Sequence, residues 1–234
     1  MSKYKRVMVK LSGEMLGESS GGIDAGRLQD VCRSLKEVID EGIQIALVIG
    51  GGNFWRFKDQ KELVLDRVVS DTMGMLATVM NALAVREELE RIGVRAKAYS
   101  SLRVPGVLKE FMPRCARNSF ADHDVVLCAG GTGNPYFTTD SAAALRALEL
   151  KCDLLLKATK VDFVCDRDPK KHADAKTFEE LSYQQVLEMG LEVMDLSAIS
   201  LCMENALPIL VFNMNGEGNL LRAARGERVG TLIS

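Results

Sequence analysis

Histidine is nearly absent from this 234-residue chain, which holds His123, His172 and a single tryptophan. So little imidazole argues against a Ser-His-Asp hydrolase, and no GxSxG elbow is present. The six cysteines (Cys32, Cys115, Cys128, Cys152, Cys165, Cys202) are scattered without a CxxC pair. Neither a disulfide framework nor a ready zinc site is indicated; they read as small, mostly core residues. Long apolar runs are missing too. The longest stretch without a charged residue spans residues 125–139 and contains three glycines and a proline, whereas a membrane helix needs about 20 apolar residues. The basic start passes into a short apolar alternation, unlike the uninterrupted core of a secretory signal. An excess of positive charge is also lacking: 30 Lys and Arg face 32 Asp and Glu, a net charge of −2. The expectation is a cytoplasmic protein with no membrane and no nucleic-acid partner.

What is present is an ordinary globular balance, 47% hydrophobic and 26% charged, without linker or internal repeat, so residues 1–234 are expected to form one domain. Residues 6–11 alternate as a strand, with Val7 and Val9 on one face and Met8 on the other. Asp24 is placed to cap a helix running to about Glu41, whose Leu28, Val31, Leu35, Val38 and Ile39 form one apolar stripe. The run 43–49 suits a buried parallel strand. Residues 63–92 turn helical again and are apolar almost all round through Met73, Met75 and Met80. Strands at 125–129, 154–156 and 209–212, with helices at 140–150, 183–189 and 196–205, complete a strand–helix–strand order. That order predicts an α/β fold: a three-layer α/β/α sandwich on a mostly parallel sheet, with ligands beyond the carboxyl ends of the strands.

Three strand candidates run into glycine-rich loops, Lys10-Leu11-Ser12-Gly13-Glu14, Gly50-Gly51-Gly52-Asn53-Phe54-Trp55-Arg56, and the loop from Gly130 to Asp140. Glycine lets backbone N–H groups approach phosphate, and three such loops at matching strand ends are harder to dismiss than one. Neither the GxxxxGK[ST] nor the GxGxxG pattern fits them.

VKLSGE at 9–14, VIGGGN at 48–53, RVVSDTMGMLATVMN at 67–81, GTGNPYFTTD at 131–140, KATKVD at 157–162 and VMDL at 193–196 closely resemble the bacterial UMP kinases of the amino acid kinase superfamily. The resemblance extends to FNMN at 212–215 and GTLI at 230–233, nearly the whole chain. It implies transfer of the ATP γ-phosphoryl to UMP, with Mg²⁺ accompanying ATP, in pyrimidine nucleotide synthesis, by a homohexamer. Carried over by position, Lys10, Leu11, Ser12, Gly13, Gly52, Arg56, Thr159, Cys165 and Asp168 fall on the ATP side. Gly51, Asp71, Thr132, Gly133, Asn134, Pro135, Tyr136, Phe137, Thr138 and Thr139 fall on the UMP side. The stretch 17–22 lies where some members respond to GTP; UTP inhibition is the other regulation implied. No residue is assigned as a protein metal ligand.

The chemistry is consistent with this sequence. A phosphate monoester has its second pKa near 6, so the acceptor is already largely a dianion and needs no general base. Charge cancellation and in-line positioning are what remain. Lys10 supplies a fixed cation, and Asp140, at its helix start, orients that lysine or a Mg²⁺-bound water, or simply caps. Lys157 and Lys160 compete as the second cation. Asp71 either contacts UMP or caps its helix; Asp195 reads as a cap. In the family a glycine and an aromatic follow KATKVD, where this chain has Phe163-Val164-Cys165, which thins the wall for a base. The rival readings are a related kinase with another acceptor and a non-catalytic nucleotide or oxyanion binder.

Overall fold

The computed structural model describes residues 3–17, 21–56, 64–167, 172 and 174–234. Strand β1 (Arg6–Leu11) lies in the middle of the sheet, where its alternation is used on both sides: Val7, Val9 and Leu11 enter one apolar core and Met8 the other. Helix α1 (Ala25–Asp40) starts where Asp24 accepts the Arg27 N–H at 2.8 Å, then returns the chain to β2 (Gln44–Ile49), parallel to β1. Helix α2 (Arg67–Arg91), β3 (Ala96–Ser100), β4 (Lys109–Glu110), α3 (Pro113–Asn118), β5 (Val125–Ala129), α4 (Thr139–Glu149) and β6 (Leu154–Thr159) follow. A short ribbon, β7 (Val164–Cys165) with β8 (Thr177–Phe178), stands apart from the sheet. The chain closes with β9 (Glu180–Leu181), α5 (Tyr183–Glu188), α6 (Leu196–Glu204), β10 (Ile209–Asn213), α7 (Asn219–Arg225) and β11 (Gly230–Ile233).

The nine-stranded sheet runs β4-β3-β5-β2-β1-β6-β10-β11-β9, and every pairing in it is parallel except β10 with β11. Helices α1, α2 and α7 cover one face, and α3 to α6 the other. This is the expected three-layer sandwich. Because α1 and α4 cross on opposite faces, the loops after β1, β2, β5 and β6 open into a common crevice at the carboxyl ends, where α/β sheets bind ligands.

Three expectations shift. The long helix begins at Arg67, four residues later than its apolar pattern suggests, because the Asp66 carboxylate accepts the Val68 N–H at 2.8 Å and caps it there. By length and composition α2 is apolar enough to cross a membrane, yet it packs along the sheet with Asn81 fully buried and Met75, Val79, Val85 and Leu89 in or near the core. Cys32, Cys128 and Cys202 are buried as expected, whereas Cys115 is exposed and Cys152 and Cys165 are half-buried.

Candidate active site

Lys10 of β1 and Lys157 of β6 are register partners on neighbouring parallel strands. Strands in a sheet lie about 4.8 Å apart, and like charges placed opposite one another repel. Asp140, in the first turn of α4, resolves that repulsion. Its Oδ1 lies 2.8 Å from Lys10 Nζ and its Oδ2 2.7 Å from Lys157 Nζ; Lys157 also donates to the Val193 carbonyl. All three side chains are 12–14% exposed. Burial acts to raise the Asp140 pKa, but the charges of Lys10 and Lys157 overcome it and hold the carboxyl below its usual range. Burial holds Lys157 below the ordinary lysine value, against the pull of Asp140. The cluster is two cations and one anion, a net positive charge at the floor of the crevice, suited to phosphate. Of the two lysines between which the sequence does not choose, Lys157 is therefore the one beside Lys10. Lys160 lies outside the cluster, 2.9 Å from Glu14.

The start of α4 is fixed from two directions. Thr138 caps it, accepting the Asp140 and Ser141 N–H groups at 3.0 and 3.3 Å. Asp195 caps α6 through the Ala198 N–H at 2.8 Å, as the sequence suggests, and also accepts the hydroxyls of Thr138, Ser141 and Ser197. Burial acts against its charge, and these donors hold its carboxyl low. The cap thus ties two helices together at the cluster, a role that one sequence cannot reveal.

The glycine loops pack backbone against backbone. A Cβ on Gly13 would lie 2.5 Å from the Gly50 carbonyl, and one on Gly51 would lie 2.6 Å from the Gly74 carbonyl of α2. Asn53 and Asn81 exchange side-chain amide bonds of 3.0 and 2.8 Å, and Asn81 also donates to the Gly50 carbonyl at 2.8 Å. Asn81 closes the 67–81 motif, and a buried amide in an apolar helix is the signal that marks it.

Two clefts approach the cluster, one ending at Thr139 beside Asp140 and the other lined by Lys157. The smaller, about 150 Å³, is lined by Gly51, Asp71, Gly131, Phe137, Thr138 and Thr139, with Trp55 and α2 behind them. Asp71 is no cap: it sits in the second turn of α2, pairs with Arg67 at 2.8 Å and accepts the Tyr136 N–H at 2.8 Å. Tyr136 is exposed and adopts φ +70° to make that contact. Thr132 Oγ1 accepts the Asn134 N–H at 3.1 Å, and Gly133 turns the loop at φ +84°. Thr132, Gly133, Asn134, Pro135 and Tyr136 do not line the cleft; only Phe137, Thr138 and Thr139 of the predicted stretch do.

The larger cleft, about 600 Å³, reaches from Lys157 and Thr159 to Phe163, Cys165, Leu191 and Val193. Thr159 Oγ1 lies 3.0 Å from the Phe212 carbonyl. Phe163 and Cys165 share this cleft, as their two-residue spacing predicts. Ser12, Gly13, Gly52 and Arg56 do not line this cleft: Ser12 caps the single turn Gly13–Met15, and Arg56 donates to the Gly52 carbonyl at 3.0 Å and pairs with Glu14. The Leu11 side chain is core, so only its backbone takes part, its carbonyl accepting the Gly50 N–H at 2.8 Å. Asp168 lies outside the described residues, as do residues 18–20 of the glycine-bounded stretch 17–22. Among the described residues no three acidic, cysteine or histidine side chains converge on a point.

The amino acid kinase family profile matches residues 5–213. Among solved structures, UMP kinase from Bacillus anthracis is 34% identical with a TM-score of 0.96, covering 99% of this chain and 96% of that one. UMP kinase from Ureaplasma parvum is 33% identical with a TM-score of 0.93, covering 99% of both chains. Uridylate kinase from Archaeoglobus fulgidus is 28% identical with a TM-score of 0.76 over both full lengths. The chain belongs to the amino acid kinase family, in its UMP kinase branch.

Proposed function

We propose that the protein transfers the γ-phosphoryl group of ATP to UMP, giving ADP and UDP in pyrimidine nucleotide synthesis in the cytoplasm. The observation that carries the reading is the Lys10–Asp140–Lys157 cluster between two clefts, one reached through Thr139 and the other through Lys157. Two anionic phosphates meeting in line need their charge cancelled at fixed positions, and a pre-paired lysine couple supplies that without rearrangement. Lys10 is the catalytic cation, with Lys157 beside it. Asp140 acts by orienting both. The small cleft takes UMP, with Asp71 toward the ribose and Thr138 and Thr139 toward the phosphate. Its volume is below the roughly 300–1,000 Å³ of small-molecule sites, so the cleft widens when the acceptor binds. The large cleft takes ATP, its phosphates toward Gly13, Gly52 and Arg56 and its base toward Phe163 and Cys165.

Magnesium fits this site as a passenger of ATP. Such an ion would need little from the protein beyond its water and the substrate phosphates, and Asp140, the carboxylate of the cluster, is the residue that would face it. When bound it neutralises phosphate charge.

Assembly belongs to the same proposal. Val69, Leu76 and Met80 recur along one exposed side of α2, and an apolar stripe of that kind marks a contact. The helices of two copies pack there, three such pairs forming a hexamer; light scattering giving a monomer at micromolar concentration contradicts it. GTP activation and UTP inhibition, implied by the family resemblance, are read by adding each nucleotide to the assay.

The deciding assay couples ADP release to a panel of UMP, CMP, dUMP, AMP and amino acid acceptors. Release that depends on UMP supports the reading. Turnover with an amino acid instead, or ATP binding without turnover, supports one of the rivals.

A further inference from the structure

Arg146, with 6% of its surface exposed, is the most deeply buried cation among the described residues, and no part of the phosphoryl-transfer account uses it. It projects from α4 away from the lysine cluster, under the loop that forms the acceptor cleft. Its Nη2 donates to Ser101 Oγ at 2.9 Å and lies 3.4 Å from the Thr132 carbonyl; its Nη1 donates to Glu149 at 2.5 Å. Its guanidinium lies 4.2 Å from the centre of the Phe111 ring. Ser101 in turn donates to the Gly131 carbonyl at 3.0 Å. One planar cation therefore holds two successive carbonyls of the acceptor loop, Thr132 directly and Gly131 through Ser101, while Phe111 fixes its plane.

Core packing alone does not need this arrangement. A buried charge is costly to desolvate, and an apolar side chain of similar volume fills such space with equal or better stability. The Nε of Arg146 is buried without a hydrogen-bond partner, which adds to that cost. The fork is directed at the loop: Gly131 lines the small cleft, and the chain from Thr132 leads straight to Phe137, Thr138 and Thr139.

We propose that Arg146 is a positioning residue for the acceptor, setting the base of the acceptor loop so that Phe137 to Thr139 stand in the geometry that binds the nucleotide monophosphate. The assignment rests on the UMP reading of the small cleft. Arg146 touches no substrate, and its effect falls on one cleft.

The test measures KM for UMP and for ATP, kcat, and UMP binding by calorimetry in Arg146→Met, Arg146→Lys, Ser101→Ala and the Arg146→Met/Ser101→Ala double variant. Arg146→Met is expected to raise the UMP KM about tenfold, equivalent to ~1.4 kcal/mol, with the ATP KM within about twofold. Arg146→Lys keeps the charge but loses the fork and recovers only part of the loss. Ser101→Ala shifts the UMP KM in the same direction, and the double variant is no worse than Arg146→Met, because the two groups act through one contact. Should Arg146→Met not fold, Ser101→Ala and Arg146→Lys carry the same comparison. UMP and ATP constants moving together, or a UMP KM unchanged in the variants that fold, overturn the assignment. A wild-type protein that binds UMP without phosphorylating it overturns the parent reading instead, and weaker calorimetric UMP binding in the variants still supports the role of Arg146.

Discussion

The two clefts beside the lysine pair are built in different ways. The acceptor cleft is small, and directional bonds hold the loop that forms it: the Tyr136 N–H to Asp71, Ser101 to the Gly131 carbonyl, and the Gly130 N–H to Thr78 Oγ1 at 2.8 Å. The donor cleft is four times as large, about 600 against 150 Å³, and its far end joins β7 and the apolar side chains of Phe163, Leu191 and Val193 to the charged Asp166, Arg167 and Glu192. The difference teaches where selectivity lies. A site built to satisfy particular hydrogen bonds rejects a molecule that lacks them, whereas an apolar wall discriminates by only a few kcal/mol. The protein is therefore expected to be strict about its acceptor and lenient about the base of its donor.

The largest effect should come from the cluster the clefts share. Asp140→Asn leaves Lys10 and Lys157 face to face, and stripping one partner from a buried ion pair costs about 3–5 kcal/mol, read by denaturant unfolding. Replacing Lys157 with Met in the same variant should restore part of that loss. The effect has a pH signature. The folded-state pKa of Asp140 is depressed, so its contribution is fully present above the unfolded-state value of about 3.9 and is lost as pH falls through the lower folded-state value. The wild type should lose stability on that acid limb, and Asp140→Asn should lose less.

A smaller effect tests the acceptor side alone. Asp71→Asn should lower kcat/KM for UMP by about 1–3 kcal/mol, the worth of a charge-assisted hydrogen bond, while the ATP KM stays constant. Equal losses for both nucleotides would erase the contrast between the clefts.

The smallest effect belongs to the donor side. GTP or dATP should replace ATP with kcat/KM within about tenfold, ~1.4 kcal/mol. Cys165→Tyr should then favour ATP, since an aromatic face stacks a base at about 1–3 kcal/mol. Strict ATP preference, unaltered by that substitution, means that another residue walls the base.

The same contrast governs what the sequence makes legible. Local signals sufficed where one element carries its own cap or period: Asp24 before α1, the Val7/Met8/Val9 alternation of β1, the apolar run of β2. The contiguous motif at 132–139 marks the loop, but not that only Phe137, Thr138 and Thr139 of it line the small cleft. Asp71 stayed open between ligand contact and cap until Asp66 proved to hold the helix start, a matter of where α2 begins. Lys157 could not be chosen over Lys160, because its pairing with Lys10 exists only once β6 lies beside β1. The strands β4, β7, β8 and β9 have two residues each, too short for any period to register. Arg146 reads in sequence as one more charge on a helix, and only the fold places it beneath the acceptor loop.

The account turns on a fixed cation that acts in the transition state and contributes little to binding. Lys10→Ala tests this most directly, with turnover measured alongside calorimetric affinities for UMP and ATP. The expected result is a fall in kcat of at least about a hundredfold, the scale of losing one preorganised charge-stabilising group, with UMP affinity little changed. Turnover like the wild type in a folded Lys10→Ala protein, or a loss explained wholly by weakened UMP binding, would contradict it.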